Sequence, residues 1–288
     1  LHTAVGLGAA DILMRLKSRL HGTVVFIFQP AEEGPPEGEE GGATLMIAEG
    51  VLERPPVEAI FGMHVMPTFE AGHVAVRAGG LMAAGDQFTL TIRGRMSHGS
   101  APHEGIDAVY VGAQVVGALQ AIASREVDAR RSLVVSVGSF HAGNRWNIIA
   151  EEAVLVGTVR TLDSETWGSL PERFERVVKG ICDANRASYE LRYERITPPV
   201  ENHSRLAAFA KESLVESLGP KHVVETDPIM ASEDFAYFQQ RLPGVFLFLG
   251  VGNKAEGWTD YVHTPGFRPD ERAIRFGAVA AAPPLADF

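Results

Sequence analysis

The chain has 288 residues, 45% of them hydrophobic and 22% charged, enough apolar material for one large folded domain or two ordinary ones. A net charge of −10 argues against nucleic acid or an anionic membrane as partner, since both demand a basic face, and no apolar run approaches the roughly 18 residues of a membrane span. The single cysteine, Cys182, excludes a disulfide framework within the chain.

Val5, Ala9, Ile12, Leu13, Leu16 and Leu20 recur at helical spacing, predicting an amphipathic helix over residues 3–20. The apolar run 23–28 then reads as a strand buried on both faces, stopped by Pro30. Glu32 and Glu33 follow at its carboxyl end, where open α/β sheets place their ligand sites. Residues 34–42 form a polar loop whose acidic side chains are expected to line a solvated rim. A short helix over 43–52 and a second inner strand over 57–63, ending at His64, complete the first part.

From Asp86 the order becomes strand, helix, strand, strand, helix, strand: 88–92, 105–124, 133–137, 153–159, 164–185 and 189–193. This is the split βαβ, ferredoxin-like arrangement, an independent two-layer domain. Asp163 is the expected N-cap of its long second helix. An α/β pattern then resumes, with a helix over 204–218, a strand at 223–224, a short helix over 233–240 and a buried strand over 245–249. Gly250 and Gly252 are expected to break that strand, and Pro283-Pro284 to stop the last helix early. The expected fold is therefore α/β: a catalytic domain with a mainly parallel sheet flanked by helices (1–80 and 197–288), interrupted by an inserted ferredoxin-like domain (81–196).

Glu33, His64 and His263 supply a carboxylate and two imidazoles from three strand ends of one sheet, a set that suits zinc, manganese or cobalt. Successive residues leaving a strand point in different directions. One of the paired glutamates can therefore hold metal while the other takes a proton from water, a hydrolysis apparatus that needs no serine or cysteine nucleophile. The inserted domain carries His98 and His103 in the turn 94–103, and Asn147 and Arg160 on or beside its inner strands. An arginine fork and an amide suit a carboxylate, although an arginine on a strand also serves as a solvated face.

Seven blocks in order resemble the dinuclear-metal aminoacylase/carboxypeptidase family of metallopeptidases, and within it the amidohydrolase branch of hippurate and indoleacetyl-amino-acid hydrolases. They are Phe28-Gln29-Pro30-Ala31-Glu32-Glu33-Gly34, Gly62-Met63-His64, residues 94–103, Asn147-Ile148-Ile149, Gly157-Thr158-Val159-Arg160, Ser232-Glu233-Asp234-Phe235 and His263-Thr264-Pro265. The resemblance implies two divalent ions, zinc, manganese, cobalt or nickel. It makes Glu32 the general base and Glu33, His64 and His263 metal ligands. His98 would reach the active site of a partner subunit and polarise the scissile carbonyl, the inserted domain serving as lid and homodimer contact. Asn147 and Arg160 would bind substrate, while His2 and Glu233 would stand behind the reacting groups.

The implied reaction is hydrolysis of N-acyl amino acids, with dipeptides or carboxypeptidase substrates as the alternative. His2-Thr3-Ala4 resembles the tail of the branch's Cys-Gly-His-Asp-x-His-Thr-Ala motif, whose cysteine and first histidine are expected upstream of Leu1. Without those ligands the metal pair would be incomplete, and an inactive dimerising module is the further alternative for the chain as given. A cytoplasmic location is expected, with a secreted or periplasmic one open for the same reason.

Overall fold

A computed structural model describes residues 1–34, 36, 38–39, 41–286 and 288, so Glu37 and Glu40 of the expected acidic rim lie outside the described residues. The chain divides into two compact units. Unit 1 comprises Leu1–Leu81, Val200–Ile229 and Glu233–Phe288, and unit 2 comprises Met82–Pro199 and Met230–Ser232. The first stretch holds α1 (His2–Arg15), α2 (Gly42–Ala48), β1 (Ile60–Glu70), β2 (Val74–Ala75) and β3 (Gly79–Met82). The middle holds β4 (Gly85–Arg93), β5 (Ser97–His98), α3 (Ala108–Ala121), β6 (Leu133–Ala142), β7 (Ile148–Ile149), β8 (Glu152–Thr161), α4 (Ser164–Ala184) and β9 (Ser188–Thr197). The last holds β10 (Val200–Asn202), α5 (Ser204–Leu218), β11 (Val223–Val224), α6 (Ala236–Gln239), β12 (Gly244–Gly252) and α7 (Arg272–Ala286). Among the described residues no helix is long and apolar enough to cross a membrane.

Unit 1 is built on a sheet of order β1-β12-β2-β11, in which β1 and β12 run parallel with Ile60 opposite Gly244. Every residue of β12 is buried, as its unbroken apolar run demands. Val5, Ala9 and Leu13 are the buried stripe of α1, and Val5 joins Val65, Leu247 and Leu249 in the core. Gly250 and Gly252 do not break β12. A side chain at Gly250 would stand 2.2 Å from the Glu70 carbonyl, so glycine is what lets β1 lie this close. β1 accordingly runs past His64 to Glu70, and His64 is mid-strand rather than at a strand end. Pro283 and Pro284 sit inside α7, which ends only at Ala286. Their fixed φ is already helical, and so near the terminus their missing N–H groups cost few backbone bonds.

The segment 23–28 is not a buried strand. It is unpaired, and Phe28 is 48% exposed. A strand exists only through a neighbour's ladder. Here a cavity of about 1290 Å3 is lined both by this segment and by residues 60–64 of β1.

Unit 2 contains an antiparallel sheet of order β6-β8-β4-β9. Its helices α3 and α4 both contribute buried residues to the core formed with that sheet, the two-layer ferredoxin-like arrangement. Asp163 caps α4, accepting from the Thr166 N–H at 2.6 Å. Thr166, Leu170, Phe174, Val178 and Cys182 recur every fourth residue and are the buried face of the helix. Pro171 lies inside α4 and cannot donate to the Trp167 carbonyl one turn back. Arg195 of β9 donates there instead at 3.3 Å, and to the Gly168 carbonyl at 2.8 Å, with its guanidinium over the Trp167 ring.

Asp86 of β4 is 1% exposed and accepts from Trp167 Nε1 at 3.0 Å and Tyr193 Oη at 2.9 Å. Burial raises its pKa above the ordinary carboxylate value, against the pull of those two donors. The folded state therefore binds the proton more tightly than the unfolded state. The stabilisation is complete below the ordinary carboxylate pKa and is lost as pH rises through the raised one. Urea midpoints for unit 2 are expected to fall across that window, and Asp86→Asn to remove the dependence. A variant retaining the full slope would place its origin elsewhere.

Candidate active site

Among the described residues, two of the three non-glycine residues with positive φ border the predicted site: Ala31 (φ 55), directly before Glu32, and His263 itself (φ 63). Such conformations are costly for residues bearing a Cβ and collect where a side chain must be aimed. Adjacent Glu32 and Glu33 part company here. Glu33 Oε1 lies 3.6 Å from His263 Nε2, both side chains being exposed. Glu32 turns toward buried Glu233 and half-buried Asp234, the three offering oxygens within 4.8 Å of one another.

Asp234 ties this corner together. Gln29 Nε2 donates to both of its oxygens at 2.7 Å, and the Ala43 N–H to Oδ2 at 2.8 Å. Its pKa is raised by burial, which those donors oppose. The Asp234 N–H in turn donates to Glu32 Oε1 at 3.4 Å. Gln29 and Asp234 were present in the quoted motifs but had no role there. Their pairing spans 205 positions of chain and leaves no local signal.

His64 Nδ1 lies 2.7 Å from the Val65 carbonyl. A carbonyl only accepts, so Nδ1 carries the proton and Nε2 keeps its lone pair, the arrangement found in metal-binding histidines. His2 differs: its Nε2 accepts from the Val65 N–H at 3.0 Å and so has no lone pair to offer. Although the residue as a whole is exposed, its ring crowds that of His64 at 5.0 Å. Desolvation, then His64, lowers its pKa to about 4.

The residues fit a divalent ion in chemistry and, in part, in placement. Two ligands each about 2.0–2.2 Å from one ion stand roughly 3–3.5 Å apart, close to the Glu33–His263 separation. Yet among the described residues the only converging triple is Glu32, Glu233 and Asp234; Glu33, His64 and His263 do not form one. His64 rides on β1, and Glu33 follows the unpaired segment that lines the other part of the cavity.

In unit 2, β5 and β7 form a short ribbon with His98 opposite Ile148. Gly99 N–H donates to the Asn147 carbonyl at 2.8 Å, which brings Asn147 beside His98. The Ser100 N–H and its Oγ lie 3.2 and 2.7 Å from His98 Nδ1. An N–H can only donate, so Nδ1 is the acceptor and the neutral ring carries its proton on exposed Nε2. Ser100 is a residue that sequence reasoning passed over. Arg160, on β8, donates from Nε to Thr158 Oγ1 at 3.2 Å and from Nη1 to Ser232 Oγ at 3.3 Å.

The family model for peptidase family M20/M25/M40 matches residues 1–282. YhaA of Bacillus subtilis, which carries the name of an amidohydrolase, is 40% identical over 98% of this chain and 69% of its own length. N-acetylcysteine deacetylase of the same organism is 36% identical over 95% of this chain and 68% of its own. Among solved structures, the YXEP protein of Bacillus subtilis, a dinuclear metal binding peptidase from the M20 family, superposes with a TM-score of 0.80. It is 32% identical and covers 99% of this chain, which spans 70% of it.

Proposed function

The chain belongs to peptidase family M20/M25/M40 and is a hydrolase of its metal-dependent, amide-cleaving kind; on that premise we propose that it cleaves N-acyl amino acids to a carboxylate and a free amino acid. The observation that carries the reading is the division of labour between neighbours. Glu33 faces His263 at 3.6 Å, while Glu32 lies against a buried carboxyl group. In this reading Glu33, His64 and His263 would be among the ligands of two divalent ions. When bound there, such ions would supply an acidified water and polarisation of the scissile carbonyl.

Glu32 takes the proton of the attacking water and returns it to the leaving amine, serving as base and then as acid. His98 of the partner subunit donates its Nε2 proton as a hydrogen bond to the oxygen on which negative charge develops. The tautomer held by Ser100 supplies that donor. Asn147 and Arg160 take the carboxylate of the amino acid, a group that suits a guanidinium fork. Unit 2 would serve as lid and homodimer contact. Tyr110, Val134 and Phe140, all exposed apolar side chains of that unit, support the second role.

Benzoyl-glycine, N-acetyl amino acids and simple dipeptides, assayed after chelation and return of zinc, manganese, cobalt or nickel, test the proposal. Metal-restored turnover of the acylated amino acids above the dipeptides is expected. The reverse preference would move the chain to the dipeptidase reading, and full turnover in chelator would refute the metal.

A further inference from the structure

Glu233 is a buried carboxyl group beside the base to which the hydrolytic scheme gives no task. It is 6% exposed, and its Oε1 accepts from the Phe235 N–H at 3.2 Å. One of its carboxyl oxygens lies within 4.8 Å of an oxygen of Glu32 and of one of Asp234. Ionised carboxylates only accept, so a hydrogen bond between two carboxyl groups requires a proton on one of them. Three carboxyl groups with oxygens within 4.8 Å also cannot all stay ionised in a partly dry corner.

The donors around them decide where the proton sits. Asp234 has the Gln29 amide on both oxygens and the Ala43 N–H on one. Glu32 is half-buried and receives the Asp234 N–H. Glu233 is the most buried of the three. We propose that Glu233 is a positioning residue: it remains a neutral carboxylic acid and donates its O–H to Glu32, holding the base in one orientation toward the attacking water. Burial, and next the charge of Glu32, push its pKa up to about 9, in the same direction. The titratable groups facing it are Glu32 and Asp234, and each opposes its ionisation.

The proposal rests on Glu32 being the base, so two readouts are needed, one independent of turnover. Infrared difference spectra of the full chain at pH 7, wild type minus Glu233→Gln, are expected to show a protonated-carboxyl carbonyl band lost in the variant. Absence of that band overturns the proposal. In the metal-loaded protein, Glu233→Ala is expected to lower kcat about tenfold to hundredfold with little change in KM. Glu233→Gln is expected to rescue most of that loss, because its amide N–H is also a neutral donor and its oxygen can still accept from Phe235. A glutamine variant as impaired as the alanine variant overturns the donor role. Should the wild type turn over none of the amides tried, the hydrolytic reading fails for this chain, and the infrared band still decides the state of Glu233.

Discussion

Glu32→Gln is expected to keep its bound metal and to lose turnover by about a hundredfold to ten-thousandfold, the span that a positioned general base contributes. The substitution keeps the shape of the side chain and leaves Glu33 and His263 facing each other at 3.6 Å. What it removes is the ability to accept a proton from water. Glu33→Gln is the matched control: it weakens a charged ligand in place of the base, so metal content should fall together with activity. Elemental analysis and single-turnover kinetics on both variants separate the two roles. Normal hydrolysis by Glu32→Gln would sink the base assignment, whereas metal loss in that variant would make Glu32 a ligand.

That contrast was legible in the sequence only as two adjacent carboxylates, and the reason is distance along the chain. Glu33 meets His263, and Glu32 meets Glu233, across at least 200 positions, so no local spacing encodes either pair. The resemblance to a known family joined them; periodicity did not. Elements whose signal is local were read well. α4 shows its every-fourth-residue stripe and its Asp163 cap, and β12 its continuous apolar run.

The misreadings came where a neighbour outweighs a residue's own preference. Gly250 punctuates most strands, but here close approach to Glu70 requires it. The run 23–28 has every strand preference and no ladder partner. A preference without a partner leaves an extended segment beside a cavity. Glu33 follows this same segment, and with His64 and His263 it forms no converging triple.

The largest structural effect is expected in unit 2, where Phe88 stands directly opposite Gly157 across β4 and β8. Phe88 is fully buried, with Phe174 at 5.2 Å between ring centres, and Phe174 in turn meets Tyr193 at 5.2 Å. Phe88→Ala empties the middle of that stack and is expected to cost about 3–5 kcal/mol. Gly157→Ala acts oppositely. Its Cβ would stand 2.4 Å from the Phe88 ring and 2.3 Å from the Ser136 carbonyl of β6. Overpacking of this kind is expected to cost about 1–3 kcal/mol.

The two substitutions compete for one space, so the double variant should be less destabilised than the sum, by about 0.5–3 kcal/mol. Full relief is not expected, because the Ser136 carbonyl belongs to the backbone and does not move with the ring. Urea unfolding read by tryptophan fluorescence measures the cycle. Trp146 and Trp167 lie in unit 2, and replacing Trp258 with phenylalanine silences unit 1. Strict additivity would show that the ring does not occupy the space left by the glycine. β4 leads within four residues to Ser97 and His98. Loosening this stack should therefore also raise hydrogen exchange in that ribbon, before any substrate is added.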